Sequence, residues 1–170
     1  VALDVEDGTG RATAESYLSV ADADTYHAAH GAPSAWSGSS TDQKEAALRS
    51  ATEYLDQVYG EDFQGERKTL TQRLYFPRYD VYVDETSQPH DQLPRQLKEA
   101  CAELALRART ETDGLIPDIA EPGAIASESV KVGPIEESKT YVGGRSQVKL
   151  FRKVDLIVAP LLKPDRAERA

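Results

Sequence analysis

The chain has 170 residues, a formal net charge of -9 and 39% hydrophobic residues. That length suits one domain with a modest core and extended appendages. No apolar run approaches the ~18–20 residues of a membrane helix, the acidic opening VALDVEDGTG lacks the charged-then-apolar pattern of a signal peptide, and the single Cys101 excludes an intrachain disulfide. The charge is unevenly spread. Residues 1–62 hold 12 acids and 3 bases, whereas residues 63–170 hold 17 of each. Non-specific nucleic-acid binding is driven by phosphate neutralisation, so an acidic chain without a basic tail argues against it. An acidic face suits a surface that DNA passes without sticking, but on charge alone solubility is the simpler and preferred reading.

SVADADTYHAAHG predicts a first helix, with Ser19 as its cap, Asp22 in its first turn and Gly31 then Pro33 at its end. APSAWSGSS predicts a loop anchored by Trp36. TDQKEAALRSATEYLDQVYG predicts a second helix capped by Thr41 or Asp42, with Glu45 at capping-box distance from Asp42. Its apolar positions are Ala47, Leu48, Ala51, Tyr54, Leu55 and Val58, and Gly60 is expected to stop it. EDFQGERKTLTQ reads as a polar connection and DETSQPHDQ as a loop. LPRQLKEACAELALRARTET predicts a third long helix with Pro94 in its first turn. Leu93, Leu97, Ala100, Cys101, Leu104, Ala105 and Ala108 form its apolar stripe. Lys98, Glu99, Glu103 and Arg107 are placed on its wet side, with Glu103 and Arg107 paired across one turn. Ser129–Val132 and Glu137–Val142 read as an extended pair around a Gly133–Pro134 turn, with edges left for another partner. SQVKLFRKVDLIVAPLL predicts a last helix capped by Ser146 and apolar on more than one side, which suggests a second partner surface.

Little of this carries chemistry. His27 and His30 could form half a metal site, but no third ligand follows at a motif spacing. Cys101 lies on the buried stripe and reads as inert. There is no nucleophile elbow, no P-loop and no dinucleotide fingerprint. A non-enzymatic chain without metal or cofactor is expected. The stretch RLYFPRYDVY is the one ambiguous feature. It mixes arginines with aromatics, the make-up of a base-stacking platform for single strands built from Arg73, Tyr75, Arg78 and Tyr79. Flanking acids nearly cancel its field. The preferred reading is structural: Leu74 and Phe76 face the core, Pro77 turns an edge segment, and Arg78 pairs with a carboxylate or a neighbouring subunit.

Several segments, in this order, resemble the head-tail connector (adaptor) proteins of tailed bacteriophages, in the group labelled DnaT-like single-strand-binding proteins. They are Val5–Gly10, Glu15–Gly31, Trp36 ahead of Glu45–Leu48, Ala51–Asp56, Thr71–Arg78, Leu93–Ala108 and Val130–Glu136. The C-terminal KLFRKVDLIVAPLL keeps only a general likeness. The resemblance implies a mainly α fold, a bundle of about four helices with a β-hairpin arm, assembling as a ring, usually of twelve. Such a ring sits in the virion neck below the portal protein, extends the duplex DNA channel and docks a tail-terminator or stopper protein. It is made in the host cytoplasm and touches no membrane. The expected division is a helical core with its N-terminal extension (1–126), a hairpin arm (127–146) and a docking helix with tail (147–170). The docking residues would be Val148, Phe151, Arg152, Ile157, Leu161 and Leu162, with Lys131 and Tyr141 on the arm. On this reading, removal of Ser146–Ala170 leaves a folded protein that cannot assemble. The family label implies the rival, a single-strand-binding replication accessory.

Overall fold

The computed structural model describes residues 2–116, 127–132, 135–140 and 150–164. It divides into two compact units, residues 1–115 with 150–170, and residues 116–149. The first unit is mainly helical. Its helices are α1 (Val20–Ala29), α2 (Ser34–Ser37), α3 (Thr41–Tyr59), α4 (Arg95–Thr110) and α5 (Arg152–Val158). Among the described residues no helix is long and apolar enough to cross a membrane.

α3 and α4 form the central helix pair. Leu48, Ala51 and Leu55 from α3 and Leu97, Ala100, Cys101 and Leu104 from α4 are fully buried. Each leucine so buried contributes about 1.5–3 kcal/mol of hydrophobic stabilisation. Ser19 caps α1 as expected, accepting the Asp22 N–H at 3.1 Å. The cap of α3 lies one residue earlier than expected. Ser40 accepts the Gln43 N–H, and the Gln43 side chain returns to the Ser40 N–H at 3.0 Å. In the run Ser39-Ser40-Thr41-Asp42 every residue can cap, and the amide of Gln43 closes the reciprocal box. Trp36 anchors the next segment as expected, but on a single helical turn, α2. Its Nε1–H donates to Asp24 Oδ1 at 2.7 Å, and Lys44 reaches the same oxygen at 2.8 Å.

Glu103 corrects the expected wet face of α4. It is only 4% exposed. The pairing with Arg107 is present at 3.0 Å, and Tyr26 and Lys153 complete the shell at 2.9 and 2.5 Å. Burial alone would raise its carboxyl, but the bonds from Lys153, Arg107 and Tyr26 win and hold it below 4.5. A buried carboxylate with three donors therefore ties α1, α4 and α5 together.

The C-terminal segment is the largest departure. The helix expected from Ser146 begins at Arg152, after a Phe151 cap position, and gives way to a 3-10 turn at Ala159–Leu161. Phe151, Val154, Val158, Leu161 and Leu162 are buried in the same core as α3 and α4. Leu162 bridges Phe63, the Gln64 N–H donates to Leu161 O at 2.9 Å, and the Lys163 N–H donates to Asp62 O at 2.9 Å. The apolar surplus read as a partner surface mainly closes this chain's own core. The docking boundary expected at 147 thus leaves 150–164 within the helical unit.

The second unit, residues 116–149, holds a hairpin of β5 (Ser127–Val132) and β6 (Ile135–Thr140). The strands are antiparallel, in register from Ser127↔Thr140 to Val132↔Ile135. The expected extended pair is present. Its Gly133–Pro134 turn, Tyr141, and the Ser146 and Val148 positions lie outside the described residues.

Candidate nucleic-acid interface

The stretch Arg73–Tyr82 is built on two short ladders. β1 (Glu66–Arg67) pairs antiparallel with β2 (Arg78–Tyr79), and β3 (Tyr82–Val83) with β4 (Thr86–Ser87). The loop read between Asp84 and Gln92 thus includes half of a tight hairpin. The period-two reading holds: Leu74 and Phe76 point inward, and Phe76 packs edge-on against Phe63 with ring centroids 4.9 Å apart. The Phe76–Pro77 bond is cis.

The arginines have another use than the one expected. Among the described residues Arg78 forms no ion pair with a carboxylate. Its guanidinium is buried and donates to backbone carbonyls, to Gln64 O and Gly65 O at 2.6 Å each, to Tyr75 O at 3.3 Å and to Phe63 O at 3.5 Å. A planar fork with five donors suits converging carbonyls, which an ammonium could not span. Arg67 does the same for the preceding loop, donating to Gln72 O, Arg73 O and Leu74 O at 3.0–3.2 Å. Gln72 is buried and closes that loop. Its amide donates to Leu74 O and Pro77 O, and it exchanges reciprocal bonds with Thr69. The T-x-x-Q spacing of a capping box is the sequence signal for this closure, used here without a helix.

Tyr75 is not a free stacking surface. Arg67 lies 5.0 Å from its ring centroid, and its hydroxyl donates to Glu61 at 2.6 Å. A Cβ on Gly60 would sit 2.7 Å from the ring, so the backbone there packs directly on it. Arg73 is more open, with its side chain 57% exposed and Glu15 at 3.8 Å. Tyr79 is 41% exposed and rests against His90 with centroids 4.7 Å apart. The four residues of the stacking hypothesis are therefore not one platform: Arg73 and Tyr79 face solvent, whereas Tyr75 and Arg78 hold the fold.

Behind the strip lies a polar hub. Asp56 on α3 accepts from the Tyr17 hydroxyl, which itself accepts the Tyr75 and Phe76 N–H groups at 3.0 and 3.3 Å. The Tyr75 N–H also reaches Asp56 Oδ2 at 3.3 Å. Burial pushes the Asp56 carboxyl up to about 6, although Tyr17, the Tyr75 amide, Arg67 and Arg78 pull it the other way. The folded protein then holds this proton more tightly than the unfolded chain, whose carboxyl returns towards 3.8. Its contribution is fully present below the unfolded value and lost as pH rises through the folded one. Asp56 alone is therefore expected to add up to about 3 kcal/mol as pH falls from neutral to about 4, against an opposing loss from His27, whose burial lowers its pKa below 6.5. Asp56→Asn should flatten that slope. Urea midpoints of wild type and variant across this range measure it, and a wild-type-minus-variant difference that does not grow towards pH 4 contradicts it. Glu103 acts at lower pH, where its depressed carboxyl takes up a proton and its ion pairs are lost.

The remaining chemistry candidates serve packing. His27 is buried, its Nε2 lies 3.1 Å from Ala102 O, and burial lowers its pKa. His30 stacks on Tyr26 at 4.0 Å on the exposed side. The two rings are not presented as a metal pair, and among the described residues no group of three metal-type ligands converges. Cys101 is fully buried, with its thiol pushed up to about 11 by burial. The acids of the N-terminal third are also partly consumed. Glu6 accepts the N–H groups of Gly8, Gly10 and Arg11 at 2.9 Å each. Glu15 meets Arg49 and Asp24 meets Lys44. Of the proposed docking residues, Phe151, Leu161 and Leu162 are buried, Ile157 is half-buried and Arg152 is exposed. Leu150 and Leu156, which that docking set leaves out, are the exposed leucines there. Lys131 lies on β5.

No curated protein and no solved structure matches the chain. One family matches over residues 1–170, that described as "Putative DnaT-like ssDNA binding protein". With the match spanning its full length, the chain belongs to this DnaT-like family.

Proposed function

We propose that the chain is a non-enzymatic adaptor of the virion neck. Copies form a ring below the portal that extends the DNA channel and docks a tail-terminator or stopper. The observation that carries this reading is the two-unit construction. A helical unit closes its own core, including α5, while β5 and β6 form a second unit in which they pair only with each other among the described residues. An unpartnered two-stranded ribbon offers its backbone edges to a neighbouring chain. The docking role assigned to the C-terminal segment shifts accordingly to the arm, with Arg152, Leu150 and Leu156 as the solvent-facing part of the segment.

The family description favours a second reading, a single-strand-binding protein. Against it stand the net charge and the structural use of Tyr75 and Arg78. Fluorescence anisotropy with labelled oligonucleotides at two salt concentrations separates the readings. The adaptor reading predicts no binding at micromolar protein. Micromolar binding that weakens with salt, and is lost on Arg73→Ala with Tyr79→Ala, supports the second reading instead.

A further inference from the structure

The chain contains no asparagine, and two of its aspartates are followed by glycine, at Asp7–Gly8 and Asp113–Gly114. In an Asp-Gly pair the backbone nitrogen attacks the preceding side-chain carboxyl with unusual ease, because glycine has no Cβ to crowd the approach. The attack needs a carboxyl free to turn and to take up a proton. It also needs a glycine nitrogen free to face that carboxyl, and a backbone free to rotate between them. The structure treats the two pairs oppositely.

Asp7–Gly8 is locked on every count. Thr9 holds the Asp7 carboxylate through its N–H at 3.0 Å and its hydroxyl at 2.6 Å. The Thr9 bonds also keep this carboxyl below its usual pKa, which disfavours the neutral acid from which water departs. The Gly8 N–H donates to Glu6 Oε1 at 2.9 Å, and the Gly8 carbonyl accepts from Lys68 at 2.8 Å. A Cβ on Gly8 would lie 2.0 Å from Asp91 O, so the backbone is wedged where it stands.

Asp113–Gly114 has none of these restraints. Both residues are exposed, and among the described residues neither the Asp113 carboxylate nor the Gly114 N–H has a hydrogen-bond or ion-pair partner. A Cβ on Gly114 would meet nothing within 4 Å. The pair lies just past α4, which ends at Thr110, and just before Leu115, which is buried in the core.

We propose that Asp113–Gly114 is a modification site, at which aspartate isomerises to isoaspartate while Asp7–Gly8 is spared. The Gly114 nitrogen bonds to Asp113 Cγ. Its proton and the carboxyl hydroxyl leave as water, and a cyclic succinimide closes. Water then adds back at either ring carbonyl. Addition at the side-chain carbonyl restores aspartate, whereas addition at the main-chain carbonyl leaves the chain running through the Asp113 side chain. The step needs no oxidant, metal or cofactor, and the mass returns to its starting value. The product carries an extra methylene in the backbone between α4 and the Leu115 anchor. This inference is independent of both functional readings above.

Peptide mapping of the full chain tests it. The protein is held warm in mildly acidic buffer, digested with trypsin and followed by mass spectrometry, with isoaspartate scored by enzymatic carboxyl methylation. Fragments 1–11 and 110–131 each hold one of the two pairs. In the folded protein the second fragment is expected to yield first a species lighter by one water and then isoaspartate. Reaction in the first fragment is expected to be slower by at least about tenfold, since its hydrogen bonds must open first. In urea the two fragments should react alike. Asp113→Glu, at a position without partners, should remove the signal and leave the circular dichroism of fresh protein unchanged. Equal rates at the two pairs in the folded chain overturn the proposal, and so does modification confined to Asp7–Gly8. An unreacted Asp113 in the folded chain overturns it too, whether or not the unfolded chain reacts.

Discussion

Removal of residues 146–170 is expected to unfold the protein rather than merely to block its assembly. The segment supplies Phe151, Val154, Val158, Leu161 and Leu162 to the core. At about 1.5–3 kcal/mol for each buried side chain, the loss is on the order of 10 kcal/mol. That rivals the whole ~5–15 kcal/mol by which a domain of this size is stable. The cut also strips Lys153 from buried Glu103 and Asp155 from the Tyr59 hydroxyl. It leaves the Gln64 N–H without its Leu161 partner. Circular dichroism and urea unfolding of the truncated chain check this. A cooperative transition at near wild-type denaturant would return the segment to a peripheral role. A milder cut after Pro164 spares every one of these contacts and is the matched control.

Arg78→Ala is the second large effect. Its guanidinium serves four backbone carbonyls, two of them at 2.6 Å. Charge-assisted bonds contribute about 1.5–3 kcal/mol each, and buried acceptors left empty cost a similar amount. A loss of about 3–5 kcal/mol follows, or roughly 10 °C or more in Tm for a chain of this length. Arg78→Lys should recover less than half, because one ammonium cannot reach both ends of the carbonyl array. The stacking hypothesis predicts something different: an Arg78→Ala protein of ordinary stability that has lost affinity for oligonucleotides. One thermal melt of the variant distinguishes the two roles of the same residue.

Gly65 shows how tightly this corner is built. Its φ is +68°, and a Cβ there would lie 1.8 Å from Tyr79 O. Only glycine lets the chain pass the β2 backbone, and that passage brings the Gly65 carbonyl to Arg78.

The long helices were legible because their apolar residues repeat with helical period, and α3 and α4 bury most of the positions that pattern selects, with Val58 and Ala108 half-buried. Leu74 and Phe76 were legible by the two-residue period of an extended chain. What escaped was polar and non-local. Arg78 and Arg67 bind carbonyls, which every residue possesses, so the acceptors leave no mark in the sequence. Glu103 looked wet because charged residues usually are. Its burial depends on Lys153 and Tyr26, 50 and 77 residues away. Apolar residues on several sides of the last helix point, from sequence alone, to a partner surface. A short helix followed by a 3-10 turn can bury them all within one chain, as Val154, Val158 and Leu161 do. Of the candidate interface, the exposure of Tyr79 and Arg73, the half-burial of Tyr75 and the burial of Arg78 had no sequence signal, since both pairs read alike as aromatic and basic.

The proposed adaptor role is tested most directly by an electron-microscopic reconstruction of the neck of particles made from the genome that encodes this chain. The expected result is a ring of this chain between portal and tail, with the helical unit traced continuously to the α5 segment and the β5–β6 hairpins in contact with neighbouring protein. Particles whose neck lacks the chain, while the purified protein binds single strands, would contradict it.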